Sequence, residues 1–259
     1  MSETLEKVRK IGVKTAVILG SGLKSLTDDL DDVFEISYKD INGFPSPKIN
    51  GHAGKMIIGK LNHENIMFLS GRIHMYEGGD GGEIVEFITL LKQMGIEHLI
   101  LTNAAGSLNK EINVGDVMMI TDHINFSGKN PLISIKDKGN DIFVDMVNAY
   151  DKDINENFEK IAKENHITLK RGVYIWALGP NFETPAEVRM FKALGADVAG
   201  MSTVPETLIA RYLGMKVSAF SIITNFGAGI SNTKLSHEQT LKMAGLGAES
   251  LKKLLKKSL

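Results

Sequence analysis

The chain has 259 residues, 43% hydrophobic and 24% charged, with a net charge of −1, which is the profile of a soluble globular protein with one large or two small α/β domains. The near-zero charge excludes a general attraction to nucleic acid or to an anionic membrane, and the absence of cysteine excludes disulfides, thiol catalysis and Cys-based zinc sites. The charged start Met1–Lys7 has no apolar run to act as a signal peptide and no segment is long enough to span a bilayer, so the expected location is the cytoplasm.

Lys14–Leu19 reads as a buried strand that ends in Gly20-Ser21-Gly22-Leu23. Small residues there allow either a close backbone approach to a ligand, with the Ser21 hydroxyl beside it, or a plain tight turn. The lysine of a P-loop and the third glycine of a dinucleotide fingerprint are both missing. Phe34–Ile41 reads as a second strand. After the turn-rich Asn42–Pro47, and His52 as a surface-loop histidine, Lys55–Leu61 and Asn65–Leu69 form an antiparallel pair. Next comes Ser70-Gly71-Arg72-Ile73-His74-Met75-Tyr76-Glu77-Gly78-Gly79. If extended, it points Arg72, His74 and Tyr76 to one side, either as an oxyanion site or as a solvated edge. Gly78 to Gly82 offers a hinge or lid, and residues 83–94 an amphipathic helix stopped by Gly95.

Ile96–Leu101 is the next buried strand, ending in Thr102-Asn103-Ala104-Ala105-Gly106-Ser107. Asp116–Ile120 leads to Asp122-His123, where neighbouring side chains diverge and no second ligand pair follows, which argues against a metal or a triad. Residues 127–145 are polar and irregular, a loop long enough to cover a site or to reach a neighbour, with Phe143 as an isolated aromatic. Residues 153–165 are helical. Arg171–Leu178 is a buried strand that runs into Gly179-Pro180-Asn181-Phe182-Glu183-Thr184-Pro185-Ala186-Glu187. Here Thr184 is an N-cap, Pro185 suits the first helical position, and Glu187 completes a capping box. Phe182 and Glu183 lie between strand and helix and have two readings. One is a loop-covered core ring beside a helix-start carboxylate. The other is a flat face for stacking beside an acceptor for a ring N–H, as a purine needs. Asp197–Ser202 is a short strand, Pro205-Glu206 opens a helix ending at Gly214, Lys216–Thr224 is an apolar strand ending at Asn225, and Ser236–Gln239 is a capping box for the last helix. The alternation of strands and helices argues for one α/β sheet.

The candidate groups therefore gather at strand ends and divide by chemistry. Ser21, Arg72, His74, the Ala104 backbone and Ser202 suit an oxyanion such as phosphate. Phe182, Glu183 and Asn225 suit a purine, and Tyr76 and Met201 suit something between, such as a sugar.

Five stretches, Gly20–Leu23, Gly71–Gly78, Thr102–Gly106, Gly179–Thr184 and Gly200–Glu206, together resemble the purine nucleoside phosphorylases of the homotrimeric type. The likeness covers nearly the whole chain with the motifs in order. It implies a single nucleoside phosphorylase domain over 1–259, α/β, with a central mixed sheet partly closed as a distorted barrel and flanked by helices. It also implies reversible phosphorolysis of inosine and guanosine, or their deoxy forms, to free purine and pentose 1-phosphate in purine salvage, with phosphate as co-substrate and no cofactor or metal. Carried over residue by residue, Ser21, Arg72, His74, Ala104 and Ser202 would bind phosphate, Tyr76, Met201 and His237 the pentose, and Phe182, Glu183 and Asn225 the purine. His74, Glu183 and Asn225 would be the catalytic groups. A homotrimer would bring an aromatic, Phe143 in this chain, to the neighbour's pentose. Related methylthioadenosine phosphorylases typically carry aspartate where Asn225 stands, so Asn225 points to the 6-oxopurine branch. Gly79-Asp80-Gly81-Gly82 departs from the aromatic that many members have after the Tyr-Glu-Gly run.

Overall fold

Strands form where β-branched and aromatic residues run together, and alternate residues of each strand feed the two faces of one sheet. In the computed structural model, which describes residues 3–48, 53–135, 142–231 and 236–259, nine strands and six α-helices are seen. The strands are β1 (Thr15–Ile18), β2 (Asp31–Ser37), β3 (Lys55–Leu61), β4 (Glu64–Ser70), β5 (His98–Ser107), β6 (Val117–Asn125), β7 (Leu169–Trp176), β8 (Val198–Gly200) and β9 (Lys216–Phe226). The helices are α1 (Glu3–Ile11), α2 (Gly82–Gln93), α3 (Lys152–Glu164), α4 (Pro185–Ala193), α5 (Val204–Tyr212) and α6 (His237–Ser258).

The sheet order is β2-β3-β4-β1-β5-β8-β7-β6-β9, and β9 pairs again with β5. Five strands, β5, β8, β7, β6 and β9, therefore close into a barrel, with β1 to β4 as a flange on β5. The pairing is mixed: β5–β9 and β6–β7 are parallel, while β6–β9 and β5–β8 are antiparallel. This is the expected single α/β domain with a partly closed mixed sheet.

The period of two is visible in the core. Ala16 and Ile18 join one apolar cluster while Val17 joins the other; Leu99 and Leu101 are likewise separated from Ile100. Apolar positions of α1, α2 and α5 fill the first cluster, and those of α3 and α6 the second. A smaller third cluster seats α4 through Val188 and Phe191. Fully burying a residue of this size contributes about 1.5–3 kcal/mol.

Local chemistry explains the boundaries. At α4, Thr184 Oγ1 accepts from Glu187 N at 3.3 Å and Glu187 Oε2 accepts from Thr184 N at 2.7 Å, completing the predicted capping box with Pro185 at the first helical position. At α6, Ser236 Oγ accepts from Gln239 N at 3.2 Å, the N-cap half of the box expected there.

Other elements differ from the sequence reading. The strand expected over Phe34–Ile41 begins at Asp31 and gives way to a 3-10 turn at Tyr38, whose buried hydroxyl donates to Gly71 O at 3.0 Å. β5 and β6 run several residues past their predicted ends. Asn103 to Ser107 stay paired with β9, with a shift in register after Ala105. The start of the chain forms α1, whose Leu5 and Val8 reach the core. His52 and the middle of the 127–145 loop lie outside the described residues. Among the described residues, no helix is long and apolar enough to cross a membrane.

Candidate active site

The C-terminal ends of β1, β4, β7, β8 and β9 and the second half of β5 open onto one cavity of about 280 Å³. That is the place and scale expected for a small-molecule site in an α/β fold. Ser21, Arg72, His74, Tyr76, Ala104, Phe182, Glu183, Met201, Ser202 and Asn225 all line it. The lining runs from Gly20 to Thr240, so residues far apart in the chain share one wall. His237 begins α6, but its side chain lies outside the described residues. Phe143 is 88% exposed and does not line the cavity.

Arg72 dominates the electrostatics of one part. It is 2% exposed, and its Nη1 donates to Thr102 O at 3.0 Å and to Ser202 Oγ at 2.9 Å. Its Nε lies 2.7 Å from Glu206 Oε1 in a buried ion pair. Arg72 Nη2 has no acceptor among the described residues. Such a donor, buried beside a cavity, is costly unless an acceptor arrives, and a tetrahedral oxyanion would supply one.

Thr102 ties the first strand end to this group. Its hydroxyl donates to Ile18 O and accepts from Gly20 N at 2.8 Å, so Gly20-Ser21 turns directly over β5. A Cβ on Gly20 would lie 2.8 Å from Asn103 Cα, so the approach requires glycine.

The chain is extended at His74, then turns in a 3-10 helix over Met75–Glu77. The extended form considered for Arg72 to Tyr76 therefore holds only as far as His74. Tyr76 still reaches the cavity by folding back, its ring stacked on that of His74 at 4.6 Å. Glu77 Oε1 accepts from His74 N at 2.8 Å and lies 3.1 Å from His74 Nδ1. Burial works against the Glu77 carboxylate, but the hydrogen bonds from His74 and from the Lys48 and His74 backbones outweigh it and hold its pKa below the usual value. Burial pushes the Tyr76 phenol up to about 12, helped by Glu77 and opposed by Arg72, so it stays a neutral donor. The Gly78–Gly82 segment, expected as a hinge, leads into α2 with Gly81 as its N-cap at φ +93°.

The base-facing candidates come next. Gly179, at φ +75°, packs so closely on Met201 that a Cβ there would lie 2.5 Å from its sulfur and 3.3 Å from the Tyr76 ring. Met201 and Tyr76 are thus brought together between the Arg72 region and the Phe182-Glu183 junction. Phe182 is 37% exposed, a loop residue rather than a core ring. Burial raises the Glu183 carboxyl above its ordinary value; a backbone hydrogen bond opposes this, and Glu187 adds to it. Asn225 Oδ1 accepts from Thr224 Oγ1 at 2.9 Å, and Nδ2 donates to Phe226 O at 3.1 Å. With Oδ1 committed to a hydroxyl donor, the amide offers the second Nδ2 proton.

Thr102, Tyr174, Thr224 and Glu206 were not singled out from sequence. Each is buried inside or beside an apolar run; the roles of Thr102, Tyr174 and Glu206 depend on partners distant in the chain, whereas Thr224 donates to the adjacent Asn225. Tyr174 OH, for example, accepts from Ser202 N at 3.2 Å. The expected divergence of Asp122 and His123 is also seen: the His123 ring turns to Tyr150 OH, 3.0 Å from Nδ1.

A family model for the phosphorylase superfamily matches residues 14–259. The chain belongs to the phosphorylase superfamily. Among its relatives in that family, purine nucleoside phosphorylase 1 of Bacillus subtilis is 43% identical, over 94% of this chain and 90% of its own. The crystal structure of Schistosoma mansoni purine nucleoside phosphorylase in complex with inosine superposes with a TM-score of 0.89 at 34% identity, covering 99% of this chain and 95% of that one. The same organism's enzyme in complex with adenosine gives 0.90 at 35% identity, over 99% and 96%.

Proposed function

We propose that this protein is a purine nucleoside phosphorylase that cleaves 6-oxopurine nucleosides with inorganic phosphate as co-substrate and no cofactor. The observation that carries the reading is one cavity that joins a buried arginine with an unpartnered Nη2 to an aromatic, a carboxylate and an amide. The Bacillus subtilis and Schistosoma mansoni relatives bear the name of this activity.

In this reading, Arg72, Ser21, Ser202, His74 and the Ala104 backbone bind the phosphate, and Tyr76 and Met201 line the pentose with His237 from α6. Phe182 packs on the purine. The C1′–N9 bond breaks with its electron pair moving into the base, leaving an oxocarbenium-like sugar. A phosphate oxygen then bonds to C1′ from the opposite face, and the proton that phosphate gives up ends on the purine. The free Nδ2 proton of Asn225, shared between N7 and O6, meets the charge that grows there, and Glu183 accepts from N1–H. Donors aimed at developing charge are worth about 2.7–4 kcal/mol each in comparable sites.

The same groups set base choice. Hypoxanthine and guanine carry a hydrogen on N1, whereas adenine presents a lone pair to the Glu183 carboxylate. A mismatch of that kind leaves a buried polar group unpaired, and discrimination of about 10⁴ is attainable. Adenosine in the Schistosoma mansoni crystal reports occupancy, whereas preference is a ratio of turnover rates. With that activity we assign the protein a role in cytoplasmic purine salvage. We further assign a homotrimer in which Phe143 covers the neighbour's pentose. Phe143, Ile133 and Val147 are 88%, 73% and 95% exposed in one stretch of chain, as an interface requires.

Phosphorus NMR of a reaction with inosine, guanosine or 2′-deoxyinosine tests the reading. A new pentose 1-phosphate resonance is expected with free base. Release of free pentose with unchanged phosphate would refute it.

A further inference from the structure

Arg72 is held at two places. Its Nη1 corner is fixed by Thr102 O at 3.0 Å and Ser202 Oγ at 2.9 Å. A planar group held only at one corner can pivot about it. The Nε edge faces Glu206 Oε1 at 2.7 Å, with the N–H off the line to the oxygen, so this second contact is an ion pair rather than a linear hydrogen bond. Two fixed points set the plane of the guanidinium, and with it the direction of the remaining Nη2 donors.

We propose that Glu206 is a positioning residue for phosphate, because its carboxylate locks the Arg72 guanidinium from the Nε edge. This rests on the phosphorolysis reading and extends it to a residue outside the cavity lining.

Glu206 is itself enclosed, and among the described residues its Oε2 has no hydrogen-bond partner, which leaves the Arg72 contact as the one seen at its carboxylate. It is 3% exposed and stands in the first turn of α5, where the positive end of the helix favours a carboxylate. The preceding residue of that turn's start, Thr203, is a non-glycine at φ +74°. It is pinned by Asn103 Nδ2 donating to its hydroxyl at 2.8 Å and by Thr207 Oγ1 donating to its carbonyl at 2.8 Å. A strained residue persists only where its surroundings over-determine it. One turn therefore delivers the Ser202 hydroxyl into the cavity and the Glu206 carboxylate behind it, and both grip the same arginine.

A bare counter-charge would act in the opposite direction. A carboxylate near the phosphate site repels the incoming anion, so its removal would tighten phosphate binding. A positioning carboxylate, once removed, weakens phosphate binding instead.

The test uses full-length Glu206→Gln and Glu206→Asp, with inosine and inorganic phosphate each varied in steady state. Glu206→Gln should raise the phosphate KM at least tenfold. Its kcat at saturating phosphate and its inosine KM should stay within about threefold of wild type. Glu206→Asp, which keeps the charge on a shorter arm, should raise the phosphate KM less than Glu206→Gln. An unchanged or lower phosphate KM in Glu206→Gln overturns the proposal, and so does an equal rise in both KM values. Should Glu206→Gln fail to fold, Glu206→Asp decides: a rise of threefold or more in phosphate KM supports the proposal, and no rise overturns it. Wild-type turnover without phosphate would refute the phosphorolysis reading itself; a phosphate-dependent wild type with unaffected variants refutes only the role of Glu206.

Discussion

Replacing Glu183 with glutamine tests the base site most sharply, because it alters charge and hydrogen-bond polarity at nearly constant volume. Glu183 lines the cavity, and burial already holds its carboxyl above the ordinary value. A hydrogen bond to a charged acceptor contributes about 1.5–3 kcal/mol, against about 0.5–1.5 for a neutral one. Inosine should therefore lose roughly 1.5 kcal/mol of transition-state stabilisation, about a tenfold drop in kcat/KM. Adenosine should gain, because the new carboxamide N–H can meet the adenine N1 lone pair where the carboxylate repelled it. A similar gain of about 1.5 kcal/mol would shrink the inosine-to-adenosine ratio by on the order of 10² overall. The assay is hypoxanthine and adenine release at fixed phosphate by chromatography. A pH series adds a second readout. The wild-type acid limb should fall where Glu183 takes up its proton, above the usual carboxylate range, since the protonated form is only a weaker, neutral acceptor for N1–H. That limb should be lost in Glu183→Gln. Wild-type inosine kcat/KM with an unmoved ratio and acid limb would remove Glu183 from the base site.

Three further outcomes follow from the same geometry. Arg72→Lys should raise the phosphate KM tenfold or more, because an ammonium cannot reach Thr102, Ser202 and Glu206 while also presenting donors to a ligand; an unchanged phosphate KM would contradict the assignment. Asn225→Asp should shift turnover toward 6-aminopurines, read as the inosine-to-adenosine ratio, and a constant ratio would refute the role of the amide. Thr184→Ala removes the side chain that caps α4 and should cost about 0.5–2 kcal/mol in chemical denaturation, with a fully unchanged midpoint counting against the cap.

How much of this was legible in the sequence depended on the range of the interaction concerned. The α4 start was readable because Thr184, Pro185 and Glu187 act within one turn. The β3–β4 hairpin was readable because its apolar runs flank a short polar turn. The end of β5 was hidden, since Asn103-Ala104-Ala105-Gly106 has the look of a loop and is held in the sheet by β9 and, at Gly106, by β8. The bend after His74 was hidden too, because it is stabilised by Glu77 reaching back to the His74 backbone. Ser21, Arg72, Phe182, Glu183 and Asn225 could be picked out as strand-end groups with ligand chemistry. The support behind them could not. Glu206 reads as an ordinary helix-start acid, and Tyr174 as a strand aromatic, until the fold sets one against Arg72 and the other against Ser202.

The most direct measurement is inosine cleavage by the purified protein with and without inorganic phosphate, with adenosine in parallel. The account predicts hypoxanthine release that depends on phosphate, with little adenine release. Hypoxanthine release at the same rate in phosphate-free buffer would mean that water is the acceptor and the Arg72 cradle has another purpose. Adenine release at a comparable rate would contradict the assigned roles of Glu183 and Asn225, and no release of either base would leave a binding protein rather than an enzyme.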